Sequence, residues 1–166
     1  MVHPLVEQLR FTRAEFQRAL AGVSEEDGLV RLEPSNSIGW TVAHMATQER
    51  AFWVTWGQGI TDVAPELDGW QGAVTPPLGE AWAAWQAVVA ASDPYLDGLT
   101  EDSMAQHLVV NGAAYRESLG TMLLRAIYHY WYHIGEASAF RQQLGHVDLP
   151  PFVGNLGVEA PYRAGA

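Results

Sequence analysis

The chain has 166 residues, of which 48% are hydrophobic, and its 19 acidic and nine basic side chains give a formal net charge of −10. This length and composition predict one globular domain over residues 1–166, and the negative charge argues against nucleic acids and anionic membrane surfaces as partners. The sequence contains no cysteine, which excludes disulfides, thiolate nucleophiles and sulfur ligands for metals. Because it shows neither an apolar signal core nor a membrane-spanning run, we expect a soluble, cytoplasmic protein.

The first half of the sequence contains two predicted helices. The first covers residues 4–21, where apolar residues recur at helical spacing; Pro4 fits its first turn and Gly22 can end it. A loop follows, with room for one helical turn at 24–27. The second helix is predicted at 37–57, directly after polar residues that can cap its free amide groups.

The second half contains two more predicted helices, at 76–98 and 118–144. Residues 58–74 precede them as a long loop without periodicity, a length typical of a lid or pocket wall. Pro94 is expected to kink or restart the third helix. A β-hairpin is one interpretation of the Asn-Gly stretch at 107–115, but a plain extended loop is favoured. Four helices with almost no strand pattern predict an all-α four-helix bundle.

The last predicted helix carries a line of polar residues. At about 100° per residue, Arg125, His129, His133 and Glu136 fall within about 40° of the direction of His129. The helix is otherwise apolar nearly all round, so these groups point into the bundle or into a pocket. Two histidines four residues apart present imidazoles on one helical face, which suits chelation of one metal ion. Two hydrogen-bonded core histidines would show the same spacing, so the pair alone does not establish a metal site.

His44 is the third metal ligand that the sequence predicts. It lies in the middle of the second helix among apolar neighbours, and Trp40 and Gln48 share its face one turn to either side. A metal ion between the two helices would give the polar residues of both helices a common partner. The other three histidines lie at the terminus, beyond the last helix or in the irregular segment before it. We therefore predict that His44, His129 and His133 bind one ion.

These stretches resemble a known family. The segments SIGWTVAHMATQERAFW and LGTMLLRAIYHYWYHIGEASAFRQQLGH, with the tail LPPFVG, are similar to the DinB-like superfamily of metal-binding four-helix bundles, over about residues 1–155. The resemblance implies an up-down-down-up bundle with long loops and an extended C-terminal tail. It also implies a divalent ion, zinc or nickel, held by His44, His129 and His133, and a homodimer. Several members are enzymes that use mycothiol, bacillithiol or glutathione in isomerisation or sulfur transfer.

Three functions are compatible with such a site. In the first, which we favour, an exogenous low-molecular-weight thiol binds the metal as a thiolate and attacks a small-molecule substrate. The sulfur has to be exogenous because the chain has no cysteine. In the second, a metal-bound hydroxide hydrolyses an ester or amide. In the third, the protein is a metal-binding bundle without catalytic activity.

Four more residues are candidates for the site. Glu136 is the catalytic candidate, because it could orient a ligand, accept a proton or coordinate the ion; an ordinary ion pair with Arg125 or Arg141 is the alternative. Gln48 and Trp40 are predicted substrate contacts on one face of the second helix. Gln48 could instead support a metal ligand or be a polar residue at a helix contact, and Trp40 could instead belong to the core or to a dimer interface. Arg125 is predicted to bind a substrate carboxylate, or else to neutralise Glu136.

Overall fold

The computed structural model describes residues 2–72 and 74–162, so the two ends of the predicted domain 1–166 lie outside the described residues. Over these ranges four long helices form a bundle, which confirms the predicted all-α four-helix architecture. No helix within the described ranges is long and apolar enough to cross a membrane. The elements in chain order are α1 Pro4–Leu20, α2 Glu25–Leu29, α3 Ile38–Glu49 with a π-helical continuation Arg50–Trp56, a 3₁₀ helix Pro65–Gly69, α4 Leu78–Asp97, a 3₁₀ helix Glu101–Ser103, β1 His107–Val110, β2 Ala113–Ser118, α5 Leu119–Gln143 and α6 Leu156–Glu159.

Serine side chains cap the two helices that carry the predicted metal ligands. Ser37 Oγ accepts the backbone N–H of Trp40 at the start of α3, and Ser118 Oγ accepts that of Thr121 at the start of α5. Such caps satisfy amide groups that have no partner within the helix. Both helices therefore begin where the sequence predicts.

The start of α4 differs from the prediction. The helix begins at Leu78 rather than at residue 76, because the carboxylate of Glu25 on α2 accepts the backbone N–H groups of Leu78 and Gly79 at 2.9 and 2.8 Å. Two prolines lie just before this point. The helix then runs through Pro94 to Asp97, so the predicted restart at this proline is wrong.

Helices α3 and α4 lie side by side and run in the same direction. Near their beginnings, Ser37 Oγ and Thr75 Oγ1 are 2.9 Å apart. Near their ends, Gln58 Nε2 donates to the carbonyl oxygen of Ala91 at 3.0 Å. The long connection between the two helices therefore crosses the length of the bundle.

Helices α1 and α5 form the second parallel pair. The rings of Phe11 and Trp131 contact each other with their centroids 6.4 Å apart. Further along both helices, the Arg141 guanidinium donates to the carbonyl oxygen of Ala19. The first and last long helices are therefore neighbours, although they are distant in sequence.

Helix α1 runs in the opposite direction to α4. Arg10 Nη2 lies 2.9 Å from Asp97 Oδ1 at the end of α4. Phe16, which comes later in α1 and is fully buried, contacts Trp82 near the beginning of α4, with ring centroids 5.5 Å apart. Two parallel pairs that oppose each other give the up-down-down-up order that the resemblance implies.

Strands β1 and β2 form an antiparallel hairpin just before α5. Asn111 and Gly112 connect them with φ angles of 52° and 78°, and positive φ at both central residues is what a tight type I′ turn requires. The plain extended loop favoured from the sequence is therefore wrong, and the hairpin alternative is what forms. The end of β2 leads directly into the first turn of α5.

The chain after α5 folds back along α1. The backbone N–H of Gly154 donates to the Glu15 carboxylate at 2.8 Å, and Gln8 Nε2 donates to the carbonyl oxygen of Ala160 at 2.9 Å. These contacts hold a tail that runs antiparallel to α1. The tail includes the short helix α6, so it is less extended than the resemblance implies.

Candidate metal centre

Three histidines from two helices meet inside the bundle. His129 Nε2 lies 3.1 Å from His44 Nε2 and 2.9 Å from His133 Nε2, and one ring nitrogen from each histidine lies within 4.8 Å of the other two. His44 and His129 are half-buried, whereas His133 is buried. Two nitrogen ligands at about 2.1 Å from one zinc ion are about 3.0–3.4 Å apart. The spacing of the three imidazoles therefore fits a shared metal ion.

Hydrogen bonds on the far side of two rings fix which nitrogen faces the cluster. His129 Nδ1 lies 2.7 Å from Gln48 Oε1, and His133 Nδ1 lies 2.8 Å from Glu136 Oε2. A carboxylate oxygen only accepts hydrogen bonds, so His133 Nδ1 carries a proton, and with the amide oxygen of Gln48 facing it His129 Nδ1 does so too. In the neutral form of each ring, Nε2 then presents a lone pair to the cluster. Metal-binding histidines are commonly supported in this way, and the support increases their basicity.

The contact between His129 Nε2 and His133 Nε2 requires a positive charge. If both rings are neutral and donate their Nδ1 protons outward, two lone pairs face each other at 2.9 Å. A proton on His133 Nε2 or a shared metal ion removes this repulsion. The contact is therefore compatible with the hydrogen-bonded core pair as well as with a metal site, and the metal site rests on the convergence of all three histidines.

Burial keeps two of the three histidines neutral. Burial, and secondarily the charge of His133, lower the pKa of His44 to about 4. Burial, followed by the repulsion that a protonated His133 or His44 would exert, also lowers the pKa of His129 to about 4. Near neutral pH both rings therefore present unprotonated nitrogens, the form that binds a metal ion.

Trp40 covers one face of the His44 ring. The two rings are stacked, with centroids 4.6 Å apart and an interplanar angle of 10°, and Trp40 Nε1 donates to the carbonyl oxygen of Gly72 at 2.8 Å. Gly72 belongs to the predicted loop 58–74, in which Ala73 lies outside the described residues. A hydrogen bond therefore connects the loop to Trp40, which covers one side of the metal site. A contact between Trp40 and a substrate stays a prediction.

Glu136 and Arg125 have separate partners. The Glu136 carboxylate contacts His133 Nδ1, which supports the role of orienting a ligand. Arg125 Nε donates to Glu117 at 2.7 Å, and the Arg141 guanidinium donates to a backbone carbonyl of α1. The alternative ion pair between Glu136 and either arginine is therefore wrong.

A pocket of about 520 Å³ opens beside the histidine cluster. Gln48 and His129 belong both to its wall and to the hydrogen-bonded support of the metal site, so the pocket borders the ring of His129. Three of its residues, Thr121, Leu124 and Tyr128, were not predicted from the sequence, although they recur at helical spacing near Arg125 on α5. The full lining consists of Gln48, Thr121, Leu124, Arg125, Tyr128 and His129.

Comparison with known proteins assigns the chain to a family. A family model described as the DinB superfamily matches residues 8–137, a range that contains all three histidines and the residues that support them. No curated protein matches the chain. Since the family model covers most of the sequence, the chain belongs to the DinB superfamily.

Proposed function

We propose that this protein binds a divalent metal ion, zinc or nickel, through His44, His129 and His133, and acts as an enzyme on a small molecule in the adjoining pocket. The observation that carries the proposal is the convergence of the three histidines, in which one ring nitrogen from each lies within 4.8 Å of the other two. Three protein ligands are typical of catalytic metal sites, in which an exogenous ligand completes the coordination.

The reaction that we propose is activation of an exogenous thiol. When bound, the ion supplies positive charge that lowers the pKa of a thiol or water ligand. The chain has no cysteine, so the reacting sulfur comes from a low-molecular-weight thiol cosubstrate. Gln48 and Glu136 hold the rings of His129 and His133 in the tautomer that binds the ion.

The substrate is proposed to lie in the pocket beside His129. Leu124 and Tyr128 give the pocket an apolar wall, and 65% of the Tyr128 surface is exposed. The Arg125 side chain remains 45% exposed beside Glu117, so its guanidinium can still donate to a substrate carboxylate at the pocket edge. These features support sulfur transfer to, or isomerisation of, a small amphipathic substrate.

The experiment that tests the proposal combines metal analysis with a screen of thiols. Purified wild-type protein is assayed for bound zinc and nickel, and for thiol-dependent turnover of small electrophiles. His133→Ala should lose the metal and the turnover together. His107→Ala is the matched control, because His107 is exposed on the hairpin and does not belong to the group of three histidines, and it should keep both.

Three outcomes change the assignment. Turnover of an ester or amide without any thiol would replace sulfur transfer by hydrolysis. Bound metal without turnover in either assay would make the protein a non-catalytic metal-binding bundle. Turnover that survives in metal-free His133→Ala would refute a catalytic role for the ion.

We also propose that the protein is a homodimer. Tyr128 and Tyr132 on successive turns of α5 are 65% and 68% exposed, and contiguous exposed apolar surface is typical of interaction sites. Sedimentation equilibrium of the wild type should give the mass of two chains, and Tyr132→Glu should shift it toward the mass of one. A monomeric wild type would contradict the proposal.

A further inference from the structure

A buried charged pair lies on the other side of α3 from His44. Arg13 on α1 is 3% exposed and Glu49 on α3 is 1% exposed. Arg13 donates to both carboxylate oxygens of Glu49, at 2.8 and 2.6 Å, and to Ser92 Oγ at 2.9 Å. Buried charges lose their hydration and regain that free energy only when their hydrogen bonds are complete. The pair therefore tolerates few relative positions of the helices that carry it.

Tyr130 connects this charged pair to α5, and Trp85 connects it to α4. Tyr130 Oη donates to Glu49 Oε1 at 2.9 Å and accepts a hydrogen bond from Trp85 Nε1 at 2.8 Å. With Arg13 on α1, each of the four long helices contributes to one hydrogen-bonded network.

The two network residues that join α3 to α5 each follow a residue of the metal site in the sequence. Glu49 follows Gln48, and Tyr130 follows His129. Two hydrogen bonds therefore connect the helices at the same level, one from His129 to Gln48 at 2.7 Å on the metal side and one from Tyr130 to Glu49 at 2.9 Å on the core side. A shift of either helix that breaks the core bond also moves Gln48 relative to His129.

We propose that Glu49 and Tyr130 are positioning residues for the metal centre. Their buried hydrogen bond fixes the register of α3 against α5 and so holds His129 in line with His44 and His133. The inference rests on the metal binding proposed above. A buried apolar contact would stabilise the bundle as well as an ion pair does, but it lacks the directionality by which a satisfied polar network specifies one arrangement.

The test compares Tyr130→Phe with Val88→Ala. The first substitution removes one hydroxyl group from the network. The second creates a cavity at a fully buried position of α4 outside the network. Both variants and the wild type are titrated with Co²⁺, which reports its ligand geometry through its visible absorption spectrum, and their melting temperatures are measured.

We expect Tyr130→Phe to bind Co²⁺ about tenfold more weakly than the wild type, the lower end of the effect of losing outer-shell support, and to give a changed spectrum. Val88→Ala should keep the wild-type affinity and spectrum in spite of a lower melting temperature. Wild-type affinity and spectrum in Tyr130→Phe would overturn the proposal, and so would equal losses of Co²⁺ affinity in both variants.

A measurement on the metal-free protein separates positioning from metal binding. The His129 Nδ1–H proton is protected from exchange with water by its bond to Gln48, and NMR should show faster exchange in Tyr130→Phe but not in Val88→Ala. If the wild type does not bind Co²⁺, the proposed function fails, while this comparison still decides the positioning role. If Tyr130→Phe does not fold, Trp85→Phe replaces it, and an unchanged exchange rate in that variant overturns the proposal.

Discussion

Gln48 Oε1 on α3 lies 2.7 Å from His129 Nδ1 on α5, so a side chain of one helix sets the tautomer of a histidine on the other. The same histidine is the one whose Nε2 contacts the nitrogens of both His44 and His133. The orientation of this single ring therefore determines whether the three histidines converge.

Replacing Gln48 with leucine is expected to weaken metal binding by about 10–100-fold, because His129 loses the acceptor that fixes its tautomer. Competition with a chromophoric chelator measures the affinity. Gln48→Glu is the control, since it keeps an acceptor oxygen at this position and should bind within a few-fold of the wild type. A leucine variant with wild-type affinity would show that the hydrogen bond does not support the site.

Substitutions of Glu136 distinguish support of a metal ligand from proton transfer. If the carboxylate only orients His133, Glu136→Ala should lower metal affinity by about tenfold, and turnover should recover when the variant is saturated with metal. Glu136→Gln keeps an acceptor and should lose less affinity. Loss of turnover in metal-saturated Glu136→Ala would instead identify Glu136 as the group that accepts a proton.

The metal-free protein is expected to lose stability in mild acid. The pKa values of His44 and His129 fall from 6.5 to about 4 in the folded chain. Between these values the unfolded chain binds protons that the folded rings do not, so the free energy of unfolding decreases as the pH falls from about 6.5 to about 4. Above this window both states are neutral and the contribution is constant.

Urea unfolding of the metal-free protein at a series of pH values measures this effect. His129→Asn removes one of the two titrating rings, so its free energy of unfolding should depend less on pH across the same window. An unchanged pH dependence in the variant would assign the acid sensitivity to other groups.

Replacing Glu25 with alanine is expected to lower the free energy of unfolding by about 1 kcal/mol, the usual effect of losing a helix cap. The physical reason is that the first amide groups of α4, at Leu78 and Gly79, lose their carboxylate acceptor. Chemical denaturation measures the change. Glu26→Ala on the same short helix is the control, and equal effects of the two substitutions would contradict the capping role.

The helices that carry the histidines could be predicted from sequence because each contains its own local signals. A serine cap precedes both, and each shows polar residues on an otherwise apolar surface. Buried polar groups require partners, and this requirement was enough to predict that His44 meets the pair on α5. The direction of Glu49, away from His44, also follows from helical geometry alone.

The other features of the fold and of the site depend on contacts that no local sequence pattern indicates. The carboxylate that begins α4 comes from Glu25, on a separate short helix. Arg125 pairs with Glu117 across the junction between β2 and α5, rather than with a residue on its own helical face. The hairpin packs Tyr115 against Trp56 of the π-helical segment, with ring centroids 5.1 Å apart. Tertiary packing of this kind decides between local conformations that the sequence leaves close in energy.

Anomalous diffraction from crystals of the protein loaded with zinc or nickel tests the central claim most directly. We predict one peak, about 2.0–2.2 Å from the Nε2 atoms of His44, His129 and His133, with an exogenous ligand completing the coordination on the side of the pocket. A metal-loaded crystal with no peak among these histidines, or with a fourth protein side chain closing the site, would contradict the account.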